Sequence, residues 1–419
     1  MARSVLLRLA SSVLAIPTML LMALPVPARD EARPAPANET PTQLINRVLA
    51  NAWKDNKVTP PKRTTDAEFA RKLYADLLGR APTADEIAAL EKEKADDKRE
   101  KLISRLLGDK AWAEHWAAIG TTALLPSDYN PVYKTQFQKW LAGRFAAGTS
   151  YAEIVKAMVS ATGKTTENGA VHFILANIGT AIPEDKRGDA GQFDMAPVTS
   201  QTGRVFLGQG FQCLACHAHP FTAELRQRDF WGVNAFFRQA ERVGDPAVAN
   251  VLELKDNPKL NTDGIVRFNR RTGFMDATGL NFLNGRGPHG EDERPRRAML
   301  ADFIVRHKTF APVAVNRTWT TLLGRGMLEN AGMDELCDFN EPLYPELLTG
   351  LAIAFQEQGY DQKKLIGWIC NSDVYQLNAT TAVEDDKNFF QVKTPQIVGF
   401  KNAIESCAPG AKLGVVPGK

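Results

Sequence analysis

The sequence predicts a mainly α protein: a multi-helix, bundle-like body formed by two helical blocks, with an irregular linker and little strand. Apolar residues recur three and four positions apart through both halves of the chain, and period-two alternation is almost absent. A polar, glycine-broken stretch around Asn284-Gly-Arg-Gly-Pro-His-Gly-Glu separates the halves.

The elements follow in order. Leu44, Ile45, Val48 and Leu49 share one helical face. A second helix is expected over Asp66–Leu78, with Phe69, Leu73, Leu77 and Leu78 inward and Gly79 as its stop. Thr83 and Glu86 form a capping box for the next, which buries Ile87 and Leu90. Leu102, Ile103, Leu106 and Leu107 mark another, and Trp112 and Trp116 another. Ser150 and Glu153 cap a helix carrying Ile154, Val155 and Met158. Gly163-Lys164-Thr165 is read as a turn, because Met158 stands where a phosphate loop needs glycine. The aromatic group Phe230, Trp231, Val233, Phe236 and Phe237 is read as core, some of it able to wall a cofactor. Beyond the linker, where a strand is expected around Ile265–Phe268, helices are expected from Arg296, from Val313 to Leu323, from Pro345 to Phe355 and after Asp361.

The chain therefore divides into a signal peptide (1–28), a flexible leader (29–40), a helical domain (41–240), a linker (241–294), a second helical domain (295–380) and an irregular tail (381–419). Arg3 and Arg8 precede an apolar run from Leu9 to Leu24, and Pro25-Val-Pro-Ala28 offers a small-residue cleavage site. The expected address is periplasmic or secreted, with no stable membrane insertion after cleavage. A formal net charge of +3 gives no support for nucleic acid as a partner.

The most informative stretch is Cys213-Leu-Ala-Cys216-His217-Ala-His219-Pro220. Two thiols three positions apart, followed at once by histidine, form the signature for covalent haem c attachment, with His217 as axial ligand. His219 has no evident task in that scheme. It has one in a second reading, in which Cys213, Cys216, His217 and His219 hold zinc or another transition metal. A third reading is a Cys213–Cys216 disulfide. For the sixth iron position the candidates are Met275, Met299 and Met327, the histidines His115, His172, His289 and His307, or an open site. A Cys370–Cys407 bridge would leave Cys337 over. Asp334, Glu335 and Asp338 are read as a solvated turn. No nucleophile elbow, His-Glu-x-x-His or dinucleotide fingerprint occurs, so no catalytic residue is assigned.

Arg204-Val-Phe-Leu-Gly, Gln212-Cys-Leu-Ala-Cys-His-Ala-His-Pro-Phe and Asp229-Phe-Trp-Gly-Val-Asn-Ala-Phe-Phe together resemble the cytochrome-like domain of unknown function of planctomycete secreted proteins (the PSCyt type). Leu44-Ile-Asn-Arg and Glu114-His115-Trp116 fit the same domain. Arg296-Arg-Ala-Met-Leu-Ala-Asp-Phe, Val315-Asn-Arg-Thr-Trp and Tyr344-Pro-Glu-Leu-Leu resemble the C-terminal domain that usually accompanies it (the PSD type). The resemblance implies a secreted protein built from these two domains, with a sulfatase-like secreted protein or a redox partner as its neighbour. The chain departs from the pattern in having one Cys-x-x-Cys-His only, no long central insertion, and Ala117, Ala118 and Ile119 where relatives carry a second His-Trp step. Three roles remain open: an electron-transfer or redox subunit, a metal-binding scaffold or hydrolase subunit, and an interaction protein docking a secreted enzyme.

Overall fold

Caps and apolar stripes define the first block in the structure, a computed structural model. It describes residues 38–378 except 220, 221, 223, 246–250, 286, 288–292, 331–334, 338 and 339. The expected signal peptide, leader residues 29–37, the tail with Cys407, and His289, Asp334 and Asp338 lie outside the described residues.

Helix α1 (Pro41–Asp55) starts from a Thr40/Gln43 capping box, α2 (Asp66–Leu78) from Thr65/Glu68, and α3 (Ala84–Lys92) from Thr83/Glu86. Then come α4 (Lys98–Leu107), α5 (Lys110–Leu124), α6 (Pro131–Ala146) and α7 (Tyr151–Val159), the last capped by Ser150 and Glu153. Helix α6 is absent from the expectations above. Its buried residues Tyr133, Phe137, Leu141 and Phe145 stand strictly four apart, a narrow stripe diluted by Lys, Gln and Arg. The chain continues through α8 (His172–Asn177), α9 (Arg187–Ala190), α10 (Ala196–Thr202), α11 (Phe211–Leu214) and α12 (Gln227–Phe237). The second block contains α13 (Arg296–Val305), α14 (Phe310–Leu323), α15 (Pro345–Glu357) and α16 (Gln362–Cys370). The fold is mainly α with little strand, as the periodicity predicts.

The strands are few and antiparallel. Strands β1 (Gly163–Lys164), β2 (Ala240–Val243) and β3 (Glu253–Asp256) form a small sheet in the order β1-β3-β2. Gly163-Lys164, expected as a turn, is thus a short edge strand, recruited by β3 from the middle of the chain. Strands β4 (Val266–Asn269) and β5 (Met275–Thr278) pair as a hairpin, with β4 at the expected place. The span 241–294 therefore carries most of the strand and is tied to the first block through β1 and β2.

The two blocks share one apolar core, to which α2, α5, α12, α14, α15 and α16 all contribute. Polar stitches fix their register. Arg297 of α13 is almost fully buried, and its Nε donates to Asp256 Oδ1 of β3 at 2.8 Å. Its Nη1 donates to the carbonyls of Val159 (3.0 Å) and Ala161 (2.8 Å) at the end of α7. One guanidinium thereby joins the first block, the small sheet and the second block. Lys72 of α2 donates to Asp76 Oδ2 (3.1 Å) and to the Leu322 carbonyl of α14 (3.3 Å), and lies over the Tyr375 ring. The Tyr375 hydroxyl donates to the same Asp76 oxygen at 2.7 Å.

Removing a buried charge's partners leaves it uncompensated. Arg297→Ala strands Asp256 and two carbonyls, and is expected to lower unfolding free energy by about 3 kcal/mol in urea titration. Arg297→Lys, which lacks the planar fork, should recover less than half of that loss.

His172 of α8 generates a second prediction. It is fully buried between the Tyr129 hydroxyl (3.0 Å) and Gln136 Oε1 (3.0 Å). Burial depresses its pKa to about 4 from the usual 6.5. The folded state therefore favours neutral imidazole. Its stabilising effect is complete above pH 6.5 and is lost as pH falls from 6.5 to 4, by about 3 kcal/mol. A His172→Gln variant should lose less stability than the parent between pH 7 and pH 4 in the same titration.

Candidate functional site

The chain enters the site from α10, whose end widens into a π-helical turn, Gly203–Leu207. Val205, Phe206 and Leu207 are buried there, with Phe206 against Phe173. Gly208 ends the turn in the left-handed region (φ 59°), which glycine adopts without strain. One further turn, α11, buries Phe211 and Leu214 on one face. Cys213 and Cys216, also three apart, occupy the other face and are exposed. The amides of Cys216 and His217 both donate to the Cys213 carbonyl, at 3.3 and 3.2 Å, which closes the turn, and His217 is exposed on it.

His217 and His219 are separated by one residue and have opposite surroundings. His217 is exposed, and its Nδ1 lies 2.6 Å from the Ala218 carbonyl. A carbonyl can only accept, so Nδ1 carries the proton and the Nε2 lone pair points to solvent. The His219 side chain is 2% exposed. Its Nδ1 accepts from the Thr222 amide (3.0 Å), which places its proton on Nε2, and Nε2 donates to Glu335 Oε1 at 2.7 Å. Its own amide donates to the Leu225 carbonyl.

Glu335 belongs to the second block. The oxygen that accepts from His219 also accepts from the Gly210 amide at 2.7 Å. A Cβ at position 210 would stand 2.6 Å from that oxygen, so a larger residue there would have to displace the Glu335 carboxylate. The same block supplies further contacts along this stretch. The Leu336 amide donates to the Gly208 carbonyl (2.9 Å), and Gln209 Nε2 donates to the Leu336 carbonyl (3.2 Å). Thr309 Oγ1 donates to the Leu207 carbonyl (2.7 Å), and Arg317 Nη2 to the Arg204 carbonyl (3.1 Å). The C-terminal block thus braces the segment that ends in the two cysteines.

On the other flank, Gln227 at the start of α12 donates from Nε2 to the Ala215 carbonyl (3.1 Å) and to the Asn269 carbonyl of β4 (2.8 Å). Phe230 packs edge-on to Phe211, and Trp231 stacks on Phe268 of the hairpin. Phe230, Val233, Phe236 and Phe237 are core residues. Asp229 is buried, and desolvation raises its pKa although its side chain accepts from the Arg226 amide.

The structure brings Cys213, Cys216 and His217 together on one exposed turn and separates His219 from them. His219 has a task that neither the haem nor the metal scheme gives it, holding the second block. Among the described residues, no group of three His, Cys, Asp or Glu side chains is placed to hold a metal ion. Cys216 is not bridged, so no disulfide joins it to Cys213. Cys370 is a buried, unbridged thiol whose pKa burial pushes up. Sequence reading missed Glu335, treating it as part of a solvated turn. No local signal distinguishes it, because its partner Gly210 lies 125 residues away.

A mainly α protein whose C-terminal block braces an exposed Cys-x-x-Cys-His turn is the class that fold and site define. Two family models match in chain order: PSCyt2, a protein of unknown function (DUF1549), over residues 44–242, and PSD1, a protein of unknown function (DUF1553), over residues 296–396. The chain carries the PSCyt2 domain followed by the PSD1 domain. No curated protein and no solved structure matches it.

The His219–Glu335 pair should show coupling in a double-mutant cycle. Each of His219→Ala and Glu335→Ala is expected to lower stability by about 2 kcal/mol, and the double variant by clearly less than the sum. Urea unfolding of the four proteins reads this directly.

Proposed function

We propose that this protein is an exported c-type cytochrome-like protein, carrying one haem for electron transfer or as the redox subunit of a partner. The observation that carries this reading is the exposed turn on which two thiols and an open imidazole nitrogen face the same solvent. Cys213 and Cys216 would hold the porphyrin through thioethers, and His217 Nε2 would hold the iron. Haem so bound supplies reversible one-electron transfer. The Ala218 carbonyl fixes the His217 tautomer, as outer partners of ligating histidines do. The exposure of both thiols suits covalent attachment in an exported chain, and the expected signal peptide supplies that address.

The metal-ion reading draws less support. Both His219 nitrogens are engaged, and rotating the ring toward the sulfurs breaks the Glu335 contact between the blocks. A redox protein or a sulfatase-like secreted enzyme remains the proposed partner class.

The test is expression of the full chain with a c-type maturation system. Intact mass should rise by one haem, and a pyridine haemochrome spectrum should report two thioether bonds. Cys213→Ala and Cys216→Ala should each leave a single bond, and the double variant should lose covalent haem. A parent protein with no haem increment, or with stoichiometric zinc by elemental analysis, would sink the reading.

A further inference from the structure

We infer that, independently of any haem, a polar cleft between the start of α12 and the segment after β5 binds a small hydroxylated anion, a sugar carrying a carboxylate or phosphate group. Gln227, the first residue of α12, is taken up by the cysteine turn and β4. Its neighbours Arg226 and Arg228 line a cleft of about 620 Å³, together with Asp229, Thr278, Leu280 and Asn281. That volume is typical of small-molecule sites and leaves room for roughly one or two sugar rings.

The walls are set by the core. The Asn281 amide donates to the Gly232 carbonyl of α12 at 3.3 Å. A Cβ at position 232 would stand 2.6 Å from the Asn281 carbonyl oxygen, so a side chain there would push the two walls apart. Thr278 stands opposite the buried Val266 in the hairpin ladder, which holds the other end of the segment.

The lining groups define the ligand chemistry. Arg226 and Arg228 are exposed, and among the described residues neither guanidinium makes a hydrogen bond or ion pair. Two planar forks at one cleft suit an oxyanion, which a guanidinium binds in bidentate fashion. Asp229 is 7% exposed. Its Oδ2 accepts from the Arg226 amide at 2.8 Å, and its Oδ1 has no hydrogen-bond partner among the described residues. Buried polar atoms need partners, and a ligand hydroxyl supplies one. Burial raises the Asp229 pKa, against the Arg226 amide bond and the two guanidiniums, which lessens its repulsion of an anion. The Asn281 side-chain amide is also unbonded among the described residues and offers both donor and acceptor. Thr278 Oγ1 donates only to the adjacent Gly279 carbonyl, at 3.4 Å, so its lone pairs are left to accept.

Other ligand classes fit less well. Among the described lining residues Leu280 is the one large apolar side chain, so an apolar ligand would find little matching surface. Glu224 lines the cleft too and is exposed. One exposed acid against two unpaired guanidiniums leaves the local balance positive, which disfavours a cation.

Isothermal titration of the full chain with D-glucuronate, glucose 6-phosphate, inorganic phosphate and glucose tests the site. At least one of the two sugar anions should bind saturably, and the tighter of them tells a carboxylate ligand from a phosphate one. Glucose and inorganic phosphate should each bind at least about tenfold more weakly than that anion, because each lacks half of the match. Arg226→Ala and Arg228→Ala should each weaken the sugar anion by about tenfold. Asp229→Asn keeps an acceptor for the Arg226 amide, and should weaken the sugar anion by about fivefold while leaving inorganic phosphate unchanged. Arg271→Ala removes an exposed arginine outside the cleft and should match the parent. Both arginines of the cleft are exposed, so an unchanged urea midpoint checks that their loss leaves the fold intact. No saturable binding of either sugar anion overturns the inference. So does undiminished binding in the Arg226→Ala/Arg228→Ala double variant, or glucose binding as tightly as the sugar anions. A protein without haem that passes these titrations keeps the cleft, and a haem protein that fails them keeps the haem reading.

Discussion

Buried backbone polar groups must find partners, and the stretch from Arg204 to Gly210 finds only some of them locally. A π turn followed by a left-handed glycine breaks the regular helical ladder. The carbonyls of Arg204, Leu207 and Gly208 and the amide of Gly210 are then satisfied from the second block, by Arg317, Thr309, Leu336 and Glu335. The first block cannot hold its motif in this shape alone. This dependence gives a physical reason for PSCyt2 and PSD1 to act as one body. Arg297 and Lys72 reinforce it at two other places, each reaching from one block to main-chain carbonyls of the other.

The motif's two histidines divide the work. His219 is buried, neutral by its hydrogen-bond pattern and structural in effect, and it anchors the loop on Glu335. His217 is exposed, with one nitrogen fixed and the other open. An arrangement that frees one donor while locking its neighbour suits a single nitrogen ligand and two covalent sulfurs. A compact tetrahedral site would need all four groups to converge, and they diverge here.

Helix α12 places Gln227 between the cysteine turn and the hairpin, and the Trp231–Phe268 stack fixes the hairpin against α12.

Local chemistry determined much of this in the sequence alone. The capping boxes at Thr83 and Ser150, the stop at Gly79, the start at Pro345 and the cap at Asp361 are all realised, because caps depend on neighbours within a turn. The mainly α class was legible for the same reason, and the Cys-x-x-Cys-His spacing stands in the sequence itself. The four-residue stripe of α6 was too narrow to stand out, and β1 exists only because β3 pairs with it. Glu335 looked like any acid in a polar turn, and His219 like a spare ligand. Their contact, and the tie from Ala215 through Gln227 to Asn269, join residues far apart in the chain. Only the packing of the two blocks brings such groups within hydrogen-bond distance, so only the tertiary structure decided which histidine anchors the loop and which stays open.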